Sequence, residues 1–183
     1  MTDTSKPAPA GTTTRDDAFV QSLLKLRHDT RARSALRRGA STALADRALP
    51  YLAPWKFAHY ELTPALLFSA AITTYPDIAY AEDTPLGRAA FRTLSRRDQH
   101  DAADTNPGRR VMAAQRQQLP LAHRTITSLL TRINDHPGIG LDWPALWRMY
   151  RVWDHPDPHY RRRTRRQLLL DFHGTTPAHD DTA

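Results

Sequence analysis

The stretch DWPALWRMYRVW, residues 142–153, carries the clearest helical pattern in the chain. Its large side chains Trp143, Trp147 and Tyr150 fall at positions i, i+4 and i+7, on one face of an α-helix. Asp142 stands where an N-cap residue is favoured, and Pro144 falls in the first turn, where a helix tolerates proline. The stretch therefore predicts a helix that packs an aromatic face into the protein core.

Helix start signals recur on both sides of this stretch. Acidic or proline-bearing starts stand at residues 16–17, 63–64, 84–85 and 157–158. No segment shows the sustained alternation of a strand or an Asn-Gly hairpin turn. The sequence therefore predicts an all-α fold of about eight to nine helices, packed as two small helical bundles.

The ends of the chain and one internal segment differ in composition from the helical parts. Residues 1–14 and 174–183 are polar and rich in small residues, and we expect both to be disordered tails. Between them we expect a single helical domain over 15–173, with an N-terminal lobe at about 15–97 and a C-terminal lobe at about 108–173. The segment 98–108, DQHDAADTNPG, has no periodicity and predicts an exposed loop.

The charge balance limits the classes of partner. The chain has 183 residues with 26 Lys and Arg against 19 Asp and Glu, and only three of the cations are lysine. Because a guanidinium group binds phosphate in a bidentate manner, this composition favours a polyanion as partner. The absence of cysteine excludes disulfides and thiolate metal sites. No apolar run reaches membrane length, so we expect a cytoplasmic protein with no membrane partner.

Basic residues concentrate in three parts of the chain. They lie around residues 25–38, at Arg109 and Arg116, and in the run YRRRTRR at 160–166. Because Arg109 and Arg116 are seven residues apart, we expect them on one helix face, about 10 Å apart along its axis. Like charges at this density repel each other, and phosphate would offset that repulsion. The candidate nucleic-acid-binding residues are Lys25, Arg27, Arg33, Arg37, Arg38, Arg109, Arg116, Arg161, Arg162, Arg165 and Arg166. A solvated basic face, partly neutralised by nearby aspartates, is the alternative interpretation.

Aromatic side chains are not expected to contact bases. Trp143, Trp147 and Tyr150 form a core stripe, and Tyr160, Thr164 and Leu168 share a second face predicted to point to the core. Without aromatic residues free for stacking inside the basic segments, contact with the nucleic-acid backbone is the better inference.

Catalytic motifs are absent from the sequence. There is no P-loop, GxSxG or HExxH, and prolines 156 and 158 interrupt the only His pair at helical spacing, His155 and His159. We therefore expect no enzymatic activity, no metal site and no cofactor.

Two C-terminal segments, GIGLDWPALWRMYRVWD at 138–154 and RRRTRRQLLLDF at 161–172, resemble the CasB family. CasB is the small subunit of the type I-E CRISPR surveillance complex, Cascade. The segments RSALRRG at 33–39, YLAPW at 51–55, PLGRAAFRTL at 85–94 and RRVMAAQR at 109–116 follow the order of the family. The resemblance covers about residues 15–173.

The resemblance implies a non-catalytic, all-helical subunit, present in two copies within the complex. Its basic surface would contact guide RNA, target DNA and the displaced DNA strand without sequence specificity and stabilise the R-loop in antiviral defence. It would also contact the backbone and large subunits and a second copy of itself. The family's basic positions match Arg37 and Arg38, Arg109 and Arg116, and the run at 161–166. A helix-turn-helix regulator, a structural subunit whose arginines face protein partners, and a nuclease are the alternatives.

Overall fold

The computed structural model describes residues 14–41 and 43–174, and these residues form an all-α fold. The helices are α1 (Arg15–Leu26), α2 (Thr30–Arg38), α3 (Leu49–Leu52), α4 (His59–Thr74), α5 (Leu86–Arg92), α6 (Arg96–His100), α7 (Asn106–Ala114), α8 (Leu119–Asn134), α9 (Trp143–Val152) and α10 (Pro158–His173). The described residues contain no β-strand, only an isolated bridge between Tyr80 and Leu141. The predicted fold class is confirmed. Apart from Thr14 and Gly174, the two predicted tails lie outside the described residues.

Local capping explains where several helices begin. Asp142 and Asp157 cap α9 and α10 as the sequence predicts: the carboxylate of Asp142 accepts a bond of 2.8 Å from the Ala145 N–H. At α1 the cap is Thr14 and not an aspartate. Its hydroxyl accepts from the Asp17 N–H, while the Asp17 carboxylate accepts from the Thr14 N–H. Thr14 therefore belongs to the folded domain and not to the tail.

The start of α4 differs from its prediction. The pair Thr63-Pro64 predicts a start at residue 64, but α4 begins at His59 and contains Pro64. The Glu61 carboxylate accepts a bond of 3.1 Å from the Ala58 N–H and satisfies one donor of the first turn. The proline removes one intrahelical hydrogen bond close to this end, a loss that the surrounding burial of α4 offsets.

The predicted loop at 98–108 is wrong. These residues form most of α6, a 3-10 turn at Ala102–Asp104 and the first turn of α7. Ser95 and Thr105 cap the two α-helices through their hydroxyl groups. A side chain at Gly108 would place its Cβ 2.0 Å from the Ala102 carbonyl oxygen, so glycine is needed at this close approach. Such short, individually capped pieces contain too few residues to show a helical period.

One continuous core joins the helices of both predicted lobes. Trp143, Trp147 and Tyr150 are fully buried, which confirms the predicted core stripe. The Trp147 ring lies 4.9 Å from Phe19 of α1 and 5.2 Å from Phe68 of α4, between ring centroids. Helix α9 therefore packs on the N-terminal part of the chain. The division into lobes at about residues 97 and 108 stays a prediction.

An ion-pair network closes the edge of this core. Arg151 of α9 binds Asp16 of α1 and donates to Glu61 of α4 at 2.8 Å. The indole N–H of Trp147 donates to the other Asp16 oxygen at 3.2 Å. Because the Glu61 side chain is only 7% exposed, its charge needs its guanidinium partners, Arg151 at 2.8 Å and Arg15 at 3.9 Å. Arg151 thus links α1, α4 and α9.

The position of α10 depends on a glycine in α5. A Cβ at Gly87 would lie 2.5 Å from the Leu168 carbonyl oxygen and 2.7 Å from the Phe172 nitrogen. With no side chain at this position, the backbones of α5 and α10 approach closely, and the Phe91 and Phe172 rings pack edge to face at 5.9 Å. The arginine run of α10 is therefore carried on a firmly docked helix.

No helix in the described part of the chain is long and apolar enough to span a membrane.

We predict that Arg151→Met lowers the free energy of unfolding by about 2–3 kcal/mol, because it leaves the buried Glu61 carboxylate with a much weaker partner. Urea denaturation measures the change. Arg148→Met, at an exposed position of the same helix, is the matched control and should change stability by less than about 0.5 kcal/mol. Adding Glu61→Gln to Arg151→Met should restore part of the loss. Equal effects of Arg151→Met and Arg148→Met would contradict the assignment.

A second prediction concerns pH. Burial lowers the pKa of His123 to about 4, and its Nδ1 lies 2.8 Å from the hydroxyl of the fully buried Tyr150. Between pH 6.5 and 4 the unfolded chain binds a proton that the folded chain does not. The free energy of unfolding should therefore fall as pH falls through this window, by about 3 kcal/mol in total from this group.

The variant His123→Gln should remove about one proton from that pH dependence, as measured by urea denaturation from pH 7 to pH 4. His100→Gln, at an exposed position, is the control and should keep the wild-type slope. An unchanged slope in His123→Gln would show that His123 is not the titrating group.

Candidate nucleic-acid interface

The eleven predicted cations differ in how far the fold uses them. Within residues 14–41 and 43–174, Arg165 alone among them forms an ion pair with a carboxylate, to Asp154 at 2.7 Å. The other ion pairs of the described chain use Arg15 and Arg151, which are not among the candidates. Ten candidate cations are therefore without a carboxylate partner there.

Helix α2 presents the most complete group of phosphate donors, which we call the α2 surface: Thr30, Arg33, Ser34, Arg37 and Arg38. These residues line a groove of about 450 Å³. Arg37 and Arg38 are exposed and Arg33 is half-buried. Three guanidinium groups beside two hydroxyl groups match the oxygens of phosphate. The exposed Lys25, in the last turn of α1, adds a further positive charge.

Arg27 differs from the cations of the α2 surface. Its Nη1 donates to the carbonyl oxygen of Ile78 at 2.9 Å, and burial lowers the pKa of its guanidinium group. Arg27 therefore ties the end of α1 to the segment after α4. The sequence placed it among the binding residues because a basic run does not show which members the fold engages.

The pair Arg109 and Arg116 lies at the two ends of α7 and not on one helix face. Both residues are exposed, but α7 ends at Ala114, and Arg116 follows the C-cap residue Gln115. The predicted separation along a single helix axis therefore does not apply. Arg110, between them, donates to the Asn106 side chain at 3.0 Å and serves the helix itself.

In α10 the arginine run divides into two groups. Arg165 donates to the carbonyl oxygens of Trp153 and Gln115, each at 3.1 Å, and its guanidinium group lies 5.5 Å from the Trp153 ring centroid. Arg161 donates to the His155 carbonyl oxygen at 3.2 Å. Both arginines hold α10 against neighbouring segments. The four candidate arginines of the run therefore do not form one free binding face, as the sequence had suggested. Arg162 and Arg166 are exposed.

The prediction that Tyr160, Thr164 and Leu168 all face the core is wrong for Tyr160. Leu168 is buried and Thr164 is half-buried, but Tyr160 is 52% exposed. It lies in the first turn of α10. Its ring contacts those of His155 and His159, with centroids 5.2 and 5.9 Å away.

Sequence reasoning also missed Arg163. Arg163 was not among the candidate binding residues, yet it is exposed and forms no ion pair in the described part of the chain. The spacing of three residues between Tyr160 and Arg163 is the signal that would have placed the two on one helix face.

Among the described residues, no cluster of three or more His, Cys, Asp or Glu side chains could hold a metal ion.

Comparisons with known proteins found one matching family model and several similar solved structures. The family model of CRISPR-associated protein Cse2 matches residues 32–173. A Cse2-family protein from Thermus thermophilus is similar in structure, with a TM-score of 0.65 at 19% identity, over 87% of this chain and 97% of that chain. CasB of M. ruber has a TM-score of 0.65 at 17% identity, over 90% and 95% of the two chains.

A chain of a solved CRISPR RNA-guided surveillance complex in a pre-nicking state is also similar. Its TM-score is 0.63 at 25% identity, over 88% of this chain and 93% of that chain. No curated protein sequence matches. Because the family model matches well over half of its residues, this chain belongs to the Cse2 (CasB) family of CRISPR-associated proteins, as its sequence resemblance predicted.

Proposed function

We propose that this chain is a non-catalytic, cytoplasmic subunit of a type I-E CRISPR surveillance complex. Its exposed arginines bind the phosphate backbones of guide RNA, target DNA and the displaced DNA strand. Membership of the Cse2 family and similarity to a chain of an RNA-guided surveillance complex support this role. Its further partners are the backbone and large subunits and a second copy of itself.

The observation that carries the proposal is the lack of carboxylate partners for the exposed cations. The fold pairs Arg151 and Arg165 with acidic side chains but leaves Arg37, Arg38 and Arg109 unpaired within the described residues. Concentrated unpaired guanidinium groups create a positive potential that attracts polyanions. On the α2 surface, hydroxyl groups add neutral donors suited to phosphate oxygens.

This arrangement fits a division of labour in which base pairing with the guide reads the sequence. Forming the RNA–DNA heteroduplex is nearly balanced in free energy against the DNA duplex that it replaces. Modest, sequence-independent contacts to the backbones can therefore shift the balance toward the open state. The protein needs a rigid basic surface for this task and no catalytic group.

We predict that random single-stranded DNA and RNA bind the purified chain with a steep salt dependence and without sequence preference. The variant Arg37→Ala/Arg38→Ala/Arg109→Ala/Arg116→Ala should lower the log–log salt slope on single strands by about 3, since each lost phosphate contact changes it by roughly 0.7. Fluorescence anisotropy across a salt series measures both slopes.

A control variant with Arg47, Arg92, Arg96 and Arg124 changed to Ala removes the same charge from exposed positions outside the three basic groups. It should keep most of the wild-type slope. Equal slopes for both variants would contradict a localised interface. Absence of binding at low salt would mean that the arginines face protein partners, and a strong sequence preference would favour a helix-turn-helix regulator.

A further inference from the structure

A groove of about 390 Å³ runs between α9 and α10 beside the start of α5. Most of its lining is apolar, and its polar groups include an aromatic hydroxyl, two guanidinium groups, an amide and a carboxylate. The apolar part includes Leu146, Met149, Val152 and Leu168; these polar groups belong to Arg148, Tyr160, Arg163, Gln167 and Asp171. The volume lies at the lower end of the range of about 300–1,000 Å³ for ligand pockets, so it suits a group of nucleoside size.

The row of polar groups on α10 is a consequence of helical spacing. Tyr160, Arg163, Gln167 and Asp171 fall at i, i+3, i+7 and i+11, and therefore follow one face of the helix along the groove. The Gln167 amide N–H donates to Oδ1 of Asp171 at 2.7 Å, which orients both side chains. Within the described residues, Oε1 of Gln167 and Oδ2 of Asp171 remain available as acceptors. Such acceptors suit the amino and imino groups of a nucleobase.

Tyr160 supplies the stacking surface. The residue is 52% exposed, and its hydroxyl group forms no hydrogen bond within the described residues. The contacts with His155 and His159 hold the ring at the end of the groove. A half-exposed aromatic ring beside arginines is the arrangement that proteins use to stack unpaired bases.

The charge at the groove decides between a base and an apolar protein segment. Arg163 on α10 is exposed and forms no ion pair within the described residues. Arg148 on α9 is also exposed, but it lines the neighbouring depression together with acidic side chains. An apolar helix laid in the groove would cover the Arg163 guanidinium group without offsetting its charge, which is costly. A nucleotide brings an apolar base for the apolar lining and a phosphate for Arg163.

We propose that this groove takes one unpaired base of a single-stranded nucleic acid, stacked on Tyr160, with the adjoining phosphate on Arg163. The inference rests on the proposed function and adds a base subsite to its backbone contacts. Because every base has a flat face, such stacking is compatible with binding that does not depend on sequence. The subsite would fix a strand in position where phosphate contacts alone allow it to slide.

Binding of a single-stranded oligonucleotide and of an abasic oligonucleotide with the same phosphates tests the proposal on the full chain. Tyr160→Ala should weaken binding of the normal oligonucleotide by roughly 5- to 150-fold, the range for loss of one stacked base. It should leave binding of the abasic oligonucleotide unchanged. Tyr160→Phe should bind both as the wild type does, since stacking does not need the hydroxyl group.

Tyr80→Ala is the matched control, because Tyr80 is 47% exposed but borders a depression lined by acidic side chains. It should not change either affinity. An unchanged affinity in Tyr160→Ala, or an equal loss on both oligonucleotides, would overturn the base subsite. If the arginine variant loses binding in the same assay, the proposed function stands without the subsite. Absence of binding by the wild-type chain would overturn both proposals.

Discussion

The ion pairs of Arg151 with Asp16 and Glu61 are the constraint on which much of this fold depends. They connect three helices that are distant in sequence, at the edge of a core formed by Trp147 and its aromatic neighbours. A nearly buried carboxylate such as Glu61 is tolerated only when a cation and hydrogen-bond donors reach it. The guanidinium group of Arg151 meets that need with two arms, and so fixes how α9 lies on α1 and α4.

The same chemistry divides the arginines of the chain into two populations. Arg27, Arg132, Arg151 and Arg165 direct their donors to carbonyl oxygens, hydroxyl groups or carboxylates of the protein itself. They link separate helices and segments, because a planar guanidinium group can donate to several acceptors at once. The second population, on α2, at the ends of α7 and on the outer side of α10, stays exposed. The first population gives the second a rigid support, which is what backbone binding without sequence readout requires.

The sequence predicts those features that depend on neighbouring residues. The aromatic face of α9 and the caps Asp142 and Asp157 follow from spacing within one turn or two, and they are confirmed. The predicted start of α4 was wrong because a Thr-Pro pair looks the same in the sequence whether the proline is the first helical residue or lies inside the helix, as Pro64 does. The prediction of a loop at 98–108 was wrong for a different reason: the helical pieces in this segment are too short to show a period in the sequence.

The candidate interface was predictable as a set of basic segments but not as individual residues. Whether a guanidinium group meets solvent or a carbonyl oxygen depends on tertiary neighbours, as Arg165 shows by reaching Gln115, 50 positions away. Tyr160 shows the same limit for a ring. Its helical projection predicts a core position, but the side chain is 52% exposed.

The most direct test of this division is chemical footprinting of arginine. The wild-type chain would be treated with phenylglyoxal, free and bound to single-stranded nucleic acid, and modification at each arginine read by mass spectrometry. We expect Arg37, Arg38, Arg109 and Arg116 to react in the free chain and to become protected on binding, and Arg165 to react little in both states. Equal reactivity of the four exposed arginines with and without nucleic acid would contradict it.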